Sequence, residues 1–377
     1  MRIGIDARMY GPMVGGGGLG RYVEQFVYGL QKHNQKHRFV LFLKKENFDH
    51  CKITNPLFEK RLAPIHWYGI QEQKIMPKLL KKEHLDLVHF PHWNVPFFCP
   101  IPFFVTIHDL ILIEHPYSSK VTTRHPIYFA FKYLGYRLIL KNALQKSQQI
   151  ITVTDYVKKS IEKHFPRVSA KKIHRIYEGI TYFNKTTSIK MLPHSIQTPY
   201  LLYIGNAYPH KNLKGLLNAY AIFSKKYPDI ALVLSGPNDL FYARIQEEQK
   251  KMGLTSKQVI FIPSPDDQLV ASLFTHALMY IQPSFAEGFG LPPLEAMSYG
   301  IPVAASNKTS LPEVLADAAL YFDPDDPRAI ADVLSSLITN TSLRDKLKEK
   351  GYNQIKKYSW DTMTKNILDL YETGGVK

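Results

Sequence analysis

The sequence predicts an α/β protein of two domains, each built on a parallel sheet covered on both faces by helices. Three observations predict it. At 377 residues the chain is long enough for two domains of ordinary size. Short, nearly all-apolar runs alternate with helical segments along its length, the pattern of strands buried on both faces. Residues 181–199 are polar and aperiodic, and they separate two stretches that share this alternation without sharing sequence.

In the first stretch, Ile3-Gly4-Ile5 is a short buried strand. A glycine run follows, Gly15 to Gly18 with Gly20, read as a loop. An amphipathic helix then places Val23, Phe26, Val27 and Leu30 on one face. Further strands are expected at Arg38 to Leu43, Leu85 to Phe90, Phe103 to Ile107 and Ile150 to Val153. A helix starts near Tyr156, and Lys172 to Tyr177 closes the half. The linker contains Asn184-Lys185-Thr186-Thr187-Ser188 and ends at Pro199. The second stretch has strands at Tyr200 to Ile204, Ile230 to Leu234, Val259 to Ile262, Leu278 to Gln282, Pro302 to Ala305 and Ala319 to Phe322. Helices fall between them, as at Leu213 to Lys225 and Pro327 to Thr339. A last helix from Ser359-Trp360 presents Met363, Ile367, Leu370 and Tyr371 on one side.

An apolar content of 45% supports filled cores. No apolar run reaches the roughly 20 residues that cross a bilayer; the best, Ile101 to Ile113, is broken by His108 and Asp109. Arg2 and Asp6 bracket a short strand with no apolar stretch behind it, so no signal peptide is expected. Cys51 and Cys99 read as reduced thiols of a cytosolic protein. Charge is uneven. Residues 1–180 hold 28 Lys and Arg against 13 Asp and Glu, a net +15, while residues 181–377 hold 20 against 19, a net +1. Such a field implies an anionic partner, such as membrane headgroups, a lipid-linked phosphate or nucleic acid.

The most informative string is Glu287-Gly288-Phe289-Gly290-Leu291-Pro292-Pro293-Leu294-Glu295. Two carboxylates flank a glycine-bearing turn, and paired prolines open a short helix that Gly300 is placed to close. This reading puts Glu295 in the first helical turn and Glu287 on the preceding loop. The amides and dipole of a helix N-terminus suit an anion, and two acceptor-only side chains suit hydroxyls; together they describe a sugar nucleotide. A second segment, Tyr203 to Asn212, is a strand end, a glycine turn at Gly205-Asn206, and a helix start. Lys211 stands there as a mobile ammonium able to neutralise a diphosphate, because open parallel sheets bind ligands beyond the carboxyl ends of their strands. Leu234-Ser235-Gly236-Pro237 is another strand-ending turn. His108, followed by Asp109, ends a strand of the first half. No Asp-x-Asp is read beyond a strand end, since Asp323-Pro324-Asp325-Asp326 looks like a turn opening a helix. His89 and His92 do not fit zinc spacing, so no metal or cofactor is expected.

Taken together these segments resemble the family 4 retaining glycosyltransferases, over nearly the full chain and most strongly from Leu201 to Asp323. The fold this implies is two Rossmann-like domains facing across a cleft, the B-type glycosyltransferase architecture. Residues 1–185 form the acceptor-binding domain, residues 186–355 the nucleotide-sugar domain, and residues 356–377 a helix crossing back to the first. The resemblance implies that Glu287 binds hydroxyls of the transferred sugar and Glu295 the ribose. Gly205, Asn206, Lys211, Gly236, Gly288, Phe289, Gly290 and Leu291 line the donor. His108 touches the sugar from the other side, and Gly16, Gly17 and Gly18 approach the acceptor or diphosphate. Many members carry an arginine where this chain has Asn206; His210 or Arg175 is expected to substitute. The Ile5-Asp6-Ala7-Arg8 opening and the Pro-His-Lys-Asn segment lean toward mannosyltransferases.

The implied activity is retaining transfer of a hexose from a nucleoside-diphosphate sugar to a glycan or lipid-linked acceptor in cell-surface polysaccharide synthesis. The expected location is the cytoplasm, with peripheral docking on anionic membrane. The segment Arg124 to Lys146 is the candidate docking surface, mixing basic residues with Tyr128, Phe129, Phe131, Tyr133 and Tyr136. A sugar-nucleotide 2-epimerase shares the fold but needs further acid/base residues. A nucleic-acid-binding protein is suggested only by the charge, and no groove-reading or RNA-binding motif appears, so nucleic acid is not expected as a partner.

Overall fold

The computed structural model describes residues 1–116, 126–181, 191–196 and 199–374, with side chains from residue 130 onward in the helix that begins at Pro126. The chain divides into two compact units. The first contains Met1–Ile113, the described residues from 126 to Gly179, and the stretch from Tyr358; the second contains residues 114–116 and the described residues from Ile180 to Lys357. The expected boundary at residues 185 and 186 lies outside the described residues.

The first unit is a seven-stranded sheet of β1 (Arg2–Asp6), β2 (Arg38–Leu43), β3 (Phe58–Leu62), β4 (Leu87–Phe90), β5 (Phe103–Ile107), β6 (Gln149–Thr152) and β7 (Ile173–Arg175). Their spatial order is β3-β2-β1-β4-β5-β6-β7, and every pairing is parallel. The chain leaves β1 toward one edge and returns to β4 at its other side, so the strand order reverses between β1 and β4. β3 is absent from the sequence expectation. Only Phe58 of its five residues is buried, because it is an edge strand, where charged side chains are tolerated and alternation fades.

The helix Gly17–His33 buries Tyr22, Val23, Phe26, Val27 and Leu30 on this sheet. It begins inside the glycine run, so Gly17, Gly18 and Gly20 are helical and not loop. The helix Trp360–Gly374 completes the same core with Met363, Ile367, Leu370 and Tyr371. Gly29 permits the contact: a Cβ there would lie 2.2 Å from Thr364 Oγ1.

The second unit has six parallel strands, β8 (Tyr200–Ile204), β9 (Ala231–Gly236), β10 (Val259–Pro263), β11 (Met279–Gln282), β12 (Val303–Ser306) and β13 (Ala319–Phe322). Their order is β10-β9-β8-β11-β12-β13. Here the order reverses between β8 and β11. Leu213–Phe223 and Pro327–Thr339 pack on this sheet, burying Leu216, Leu217, Tyr220, Ile330 and Leu334.

Candidate active site

Open α/β sheets place ligands beyond the carboxyl ends of their strands at the point where strand order reverses. In the second unit that point is the gap between β8 and β11, and the signature residues gather there.

β8 runs into Gly205, whose amide donates to Ser235 O at 2.9 Å and whose carbonyl accepts from Tyr242 Oη at 2.8 Å. Gly236 lies against it; a Cβ on Gly236 would stand 2.0 Å from Gly205 O, so only glycine allows this approach. Tyr203 Oη donates to Asn206 O at 2.6 Å, which pins the turn. The chain then forms a 3-10 turn, Pro209–Lys211, and Asn212 caps the next helix by accepting from Gly215 N. The amide of Phe285 donates to His210 O at 2.8 Å, tying this loop to the one that follows β11.

That bond brings Lys211 to Glu287. Lys211 Nζ lies 2.8 Å from both Glu287 oxygens. Oε1 also accepts from Gln282 Nε2 at 2.6 Å and from Ser284 Oγ at 2.7 Å. Among the described residues Lys211 is the sole donor to Oε2, so that oxygen keeps acceptor capacity. The Glu287 amide donates to Thr309 Oγ1 at 3.0 Å, and Ser310 Oγ donates to its carbonyl at 2.9 Å. Burial raises the pKa of this carboxyl, but the charge and hydrogen bonds of Lys211, joined by Ser284, outweigh it and hold the group below its usual range. Lys211 is therefore a clamped cation and not the mobile ammonium expected. With two protons turned to Glu287, a third remains for another acceptor.

Gly290, at φ +97°, turns the chain from Glu287 into the helix Leu291–Ser298, with the two prolines in its first turn. Gly288, Phe289 and Leu291 are buried around this turn. Glu295 is the fifth residue of the helix, in its second turn and 7% exposed, so it does not complement the first-turn amides as expected. The prolines occupy positions that the sequence reading assigned one step too early.

Of the two expected substitute cations, His210 belongs to this unit and is uncharged near neutral pH, while Arg175 belongs to the first unit. Burial, then the charge of Lys211, push His210 down to about 4, leaving it neutral near pH 7. Arg175 faces Asp155 at 3.5 Å and lies 4.0 Å over the Tyr177 ring. Asp323 and Asp325 do follow a strand end, contrary to expectation, and both pair with Lys308, at 3.1 and 3.5 Å. Asp326 caps the next helix at Arg328 N. Among the described residues no three His, Cys, Asp or Glu side chains are grouped to hold a metal ion.

In the first unit the reversal between β1 and β4 is bordered by the glycine run and by the ends of β4 and β5. Gly16 and Gly17 have φ of +75° and +35° and face open space, and Gly18 is exposed beside them, so unpaired amides of a 17-residue helix reach solvent here. His108, just past β5, is bonded on both ring nitrogens. Nε2 lies 2.8 Å from Pro91 O and Nδ1 2.9 Å from Glu178 Oε1. Two acceptors favour the imidazolium. Burial opposes that charge, but Glu178 outweighs it and the pKa is raised. Glu178 was not found from sequence: it lies 70 residues away with no local pattern to mark it. Gln282, Ser284, Thr309 and Ser310 were missed likewise, though Gln282 and Ser284 sit beside the string that was read.

Comparison with known proteins bears on both units. The family described as Glycosyltransferase Family 4 matches residues 16–181, and that described as Glycosyl transferases group 1 matches residues 184–354. O-antigen chain mannosyltransferase B of Escherichia coli is 31% identical over 281 residues, covering 71% of this chain and 69% of that protein. O-antigen chain mannosyltransferase RfbU of Salmonella typhimurium is 27% identical over 315 residues, covering 84% and 81%. Among solved structures, sucrose-phosphate synthase from Thermosynechococcus elongatus superposes with a TM-score of 0.77 at 19% identity, covering 99% of this chain and 98% of that one.

Proposed function

The chain belongs to the family 4, group 1 glycosyltransferases, and from that premise we propose that it moves a mannosyl residue, with retention of configuration, from a nucleoside-diphosphate sugar to a glycan or lipid-linked acceptor of a cell-surface polysaccharide. The observation that carries this reading is the Lys211–Glu287 pair at the β8–β11 reversal. Glu287 Oε2 retains capacity for a sugar hydroxyl, while Lys211 offers its remaining proton to a phosphate oxygen. A leaving diphosphate and a cationic sugar carbon need preorganised charge of both signs, and the pair supplies both. The turn into the helix Leu291–Ser298 adds the amides of Gly290 and Leu291, since Pro292 and Pro293 have no N–H, and Glu295 behind it serves the ribose. The amides at Gly16 to Gly18 answer the anionic groups, and His108 serves the sugar through the positive charge that Glu178 and Pro91 O favour on its ring, since neither ring nitrogen has an N–H to spare. The leaving phosphate takes the acceptor proton on the same face. Mannose is favoured because the relatives reported above are named mannosyltransferases. The proposed chemistry uses Lys211 as its cation and calls for no resident metal or cofactor.

Docking on anionic membrane belongs to the same proposal. The helix Pro126–Lys146 buries Tyr136, Leu140, Ala143 and Leu144, yet leaves Phe131 72%, Leu134 54% and Leu138 51% exposed. These three fall at i, i+3 and i+7, an apolar stripe beside exposed Lys132, Arg137 and Lys141. Tyr136 is excluded from that surface by its burial against Trp93. Arg124 lies outside the described residues, as do the side chains of Tyr128 and Phe129. No helix among the described residues is long and apolar enough to cross a membrane.

The test is a panel of sugar nucleotides read by thermal shift, followed by transfer from the best binder. A ligand at 100 times its dissociation constant adds about 2.7 kcal/mol of stability. Guanosine-diphosphate mannose should shift the melt most, and the anomeric proton coupling of the product should match that of the donor. An inverted product overturns the assignment.

A further inference from the structure

The first unit contains a buried ionic cluster that the donor chemistry does not use. Arg8, 1% exposed, bonds Asp6 through Nε at 2.7 Å and Nη2 at 2.6 Å, and also reaches Glu72. Glu72 Oε1 accepts from Asn94 Nδ2 at 2.9 Å as well, and Oε2 accepts from the amide of Tyr68 at 3.0 Å. Among the described residues every group bonded to the carboxylate is a donor. Asn94 must therefore turn its amide nitrogen to Glu72, and its oxygen faces His92 Nδ1 at 2.9 Å. A carbonyl oxygen only accepts, so His92 carries its proton on Nδ1 and presents the Nε2 lone pair. Among the described residues no protein group bonds that nitrogen. Burial, then the neighbouring His108 charge, push His92 down to about 3, so the lone pair persists at any physiological pH.

The same cluster shapes an aromatic surface. Tyr68 is held at φ +65°, a conformation that bulky residues rarely adopt, by the bond from its amide to Glu72. Tyr68 stays 47% exposed, and its ring stacks on Trp93 with centroids 4.9 Å apart and planes 17° from parallel. Trp93 also meets Tyr136 edge-on, with ring centroids 4.6 Å apart. The His92 ring lies 5.9 Å from Tyr68. A strained backbone that keeps a tyrosine ring in solvent, next to an unpartnered imidazole nitrogen, is a costly arrangement without a ligand.

We infer that Tyr68, His92 and Trp93 form a subsite for a pyranose ring of the acceptor. The apolar C–H face of the sugar lies on the exposed side of the aromatic pair, and one hydroxyl donates to His92 Nε2. Arg8, Glu72 and Asn94 are positioning residues that fix the His92 tautomer and the Tyr68 backbone. This inference rests on the glycosyltransferase reading and names the class of acceptor, a saccharide, that the first unit takes.

The test uses the intact chain and methyl pyranosides of mannose, glucose, galactose and N-acetylglucosamine, with binding followed by saturation-transfer NMR. At least one should bind with a millimolar constant, about what a single sugar contributes. His92→Ala and Tyr68→Ala should each weaken it by about tenfold or more, and Tyr68→Phe, which keeps the ring, should stay within about threefold. The thermal shift with a nucleoside diphosphate, measured on the same samples, should be equal in all variants and reports that they are folded. Failure of every pyranoside to bind, or unchanged binding in both alanine variants, overturns the subsite. Loss of the nucleotide shift in the unmodified chain strikes the donor reading instead, so the two failures are distinct.

Discussion

Lys211 Nζ stands equidistant, at 2.8 Å, from the two carboxylate oxygens of Glu287, and both side chains are largely withdrawn from water. The pair is a structural clamp and, in the proposed donor site, the chemical centre as well. Removing one member leaves the other charged, buried and unpaired. Lys211→Ala should therefore destabilise the second unit by about 3–5 kcal/mol, and Lys211→Ala with Glu287→Gln should recover part of that loss. Urea melts of the singles and the double measure the coupling. Against ligands, Lys211→Ala should weaken a nucleoside diphosphate far more than the free nucleoside. Equal losses would mean that it acts through structure alone.

Glu287→Gln keeps shape and removes charge. Turnover should fall more than nucleotide affinity, because the proposed contact is to the reacting sugar. Glu295→Ala should do the reverse, weakening nucleotide binding by about 1.5–3 kcal/mol if a charge-assisted hydrogen bond is lost. Calorimetry with the nucleoside diphosphate beside steady-state kinetics separates the two roles. Wild-type behaviour in both variants removes the assignment.

The His108–Glu178 contact carries a pH signature. The folded pKa of the ring is raised, so the contact contributes fully below the unfolded value of about 6.5 and its contribution is lost as pH rises through the folded value. Thermal melts from about pH 5 to 9 should show wild type losing stability over that window relative to Glu178→Gln. For Glu287 the sign is opposite. Its pKa is depressed, so its contribution is present above the unfolded value of about 4.3 and disappears as pH falls through the folded one.

Vesicle co-sedimentation tests the exposed stripe Phe131, Leu134 and Leu138. Binding should rise with anionic lipid and fall with salt, because exposed charges are screened within about 10 Å at 0.1 M. Replacing Lys132, Arg137 and Lys141 by Gln should cost on the order of 1 kcal/mol each. No binding at low salt on strongly anionic vesicles would point to a soluble acceptor.

The parallel sheets were legible because buried strands such as Tyr200 to Tyr203 or Phe103 to Ile107 carry their burial in every residue. β3 was not, since an edge strand need not be apolar. Glu287 was legible from nine consecutive residues, whereas Lys211, which sets its charge, is 76 positions away, and the bond that holds its backbone goes to a loop at Thr309. The misplacement of Glu295 by one turn has a local cause: proline is compatible with several first-turn positions, so it marks a helix start only to within a residue or two. His108 was found by its place at a strand end, but its protonation depends on Glu178, and no short-range pattern encodes that pairing. Tyr68 was not singled out and His92 was weighed only as a zinc ligand, because the roles proposed for them depend on a tautomer and a backbone angle, and neither is written in residue type.

The helix Trp360–Gly374 has a consequence for biosynthesis. Its Met363, Ile367, Leu370 and Tyr371 complete a core whose other members include Ile3, Phe26 and Leu87. A ribosome must therefore make some 360 residues of this chain before the first core can close, while every residue of the second core lies between Leu201 and Leu347. The order in which cores mature is thus the reverse of the order in which they begin to emerge. Until Tyr371 leaves the exit tunnel, the nascent chain displays an apolar groove along Gly17–His33, a natural target for chaperones and proteases.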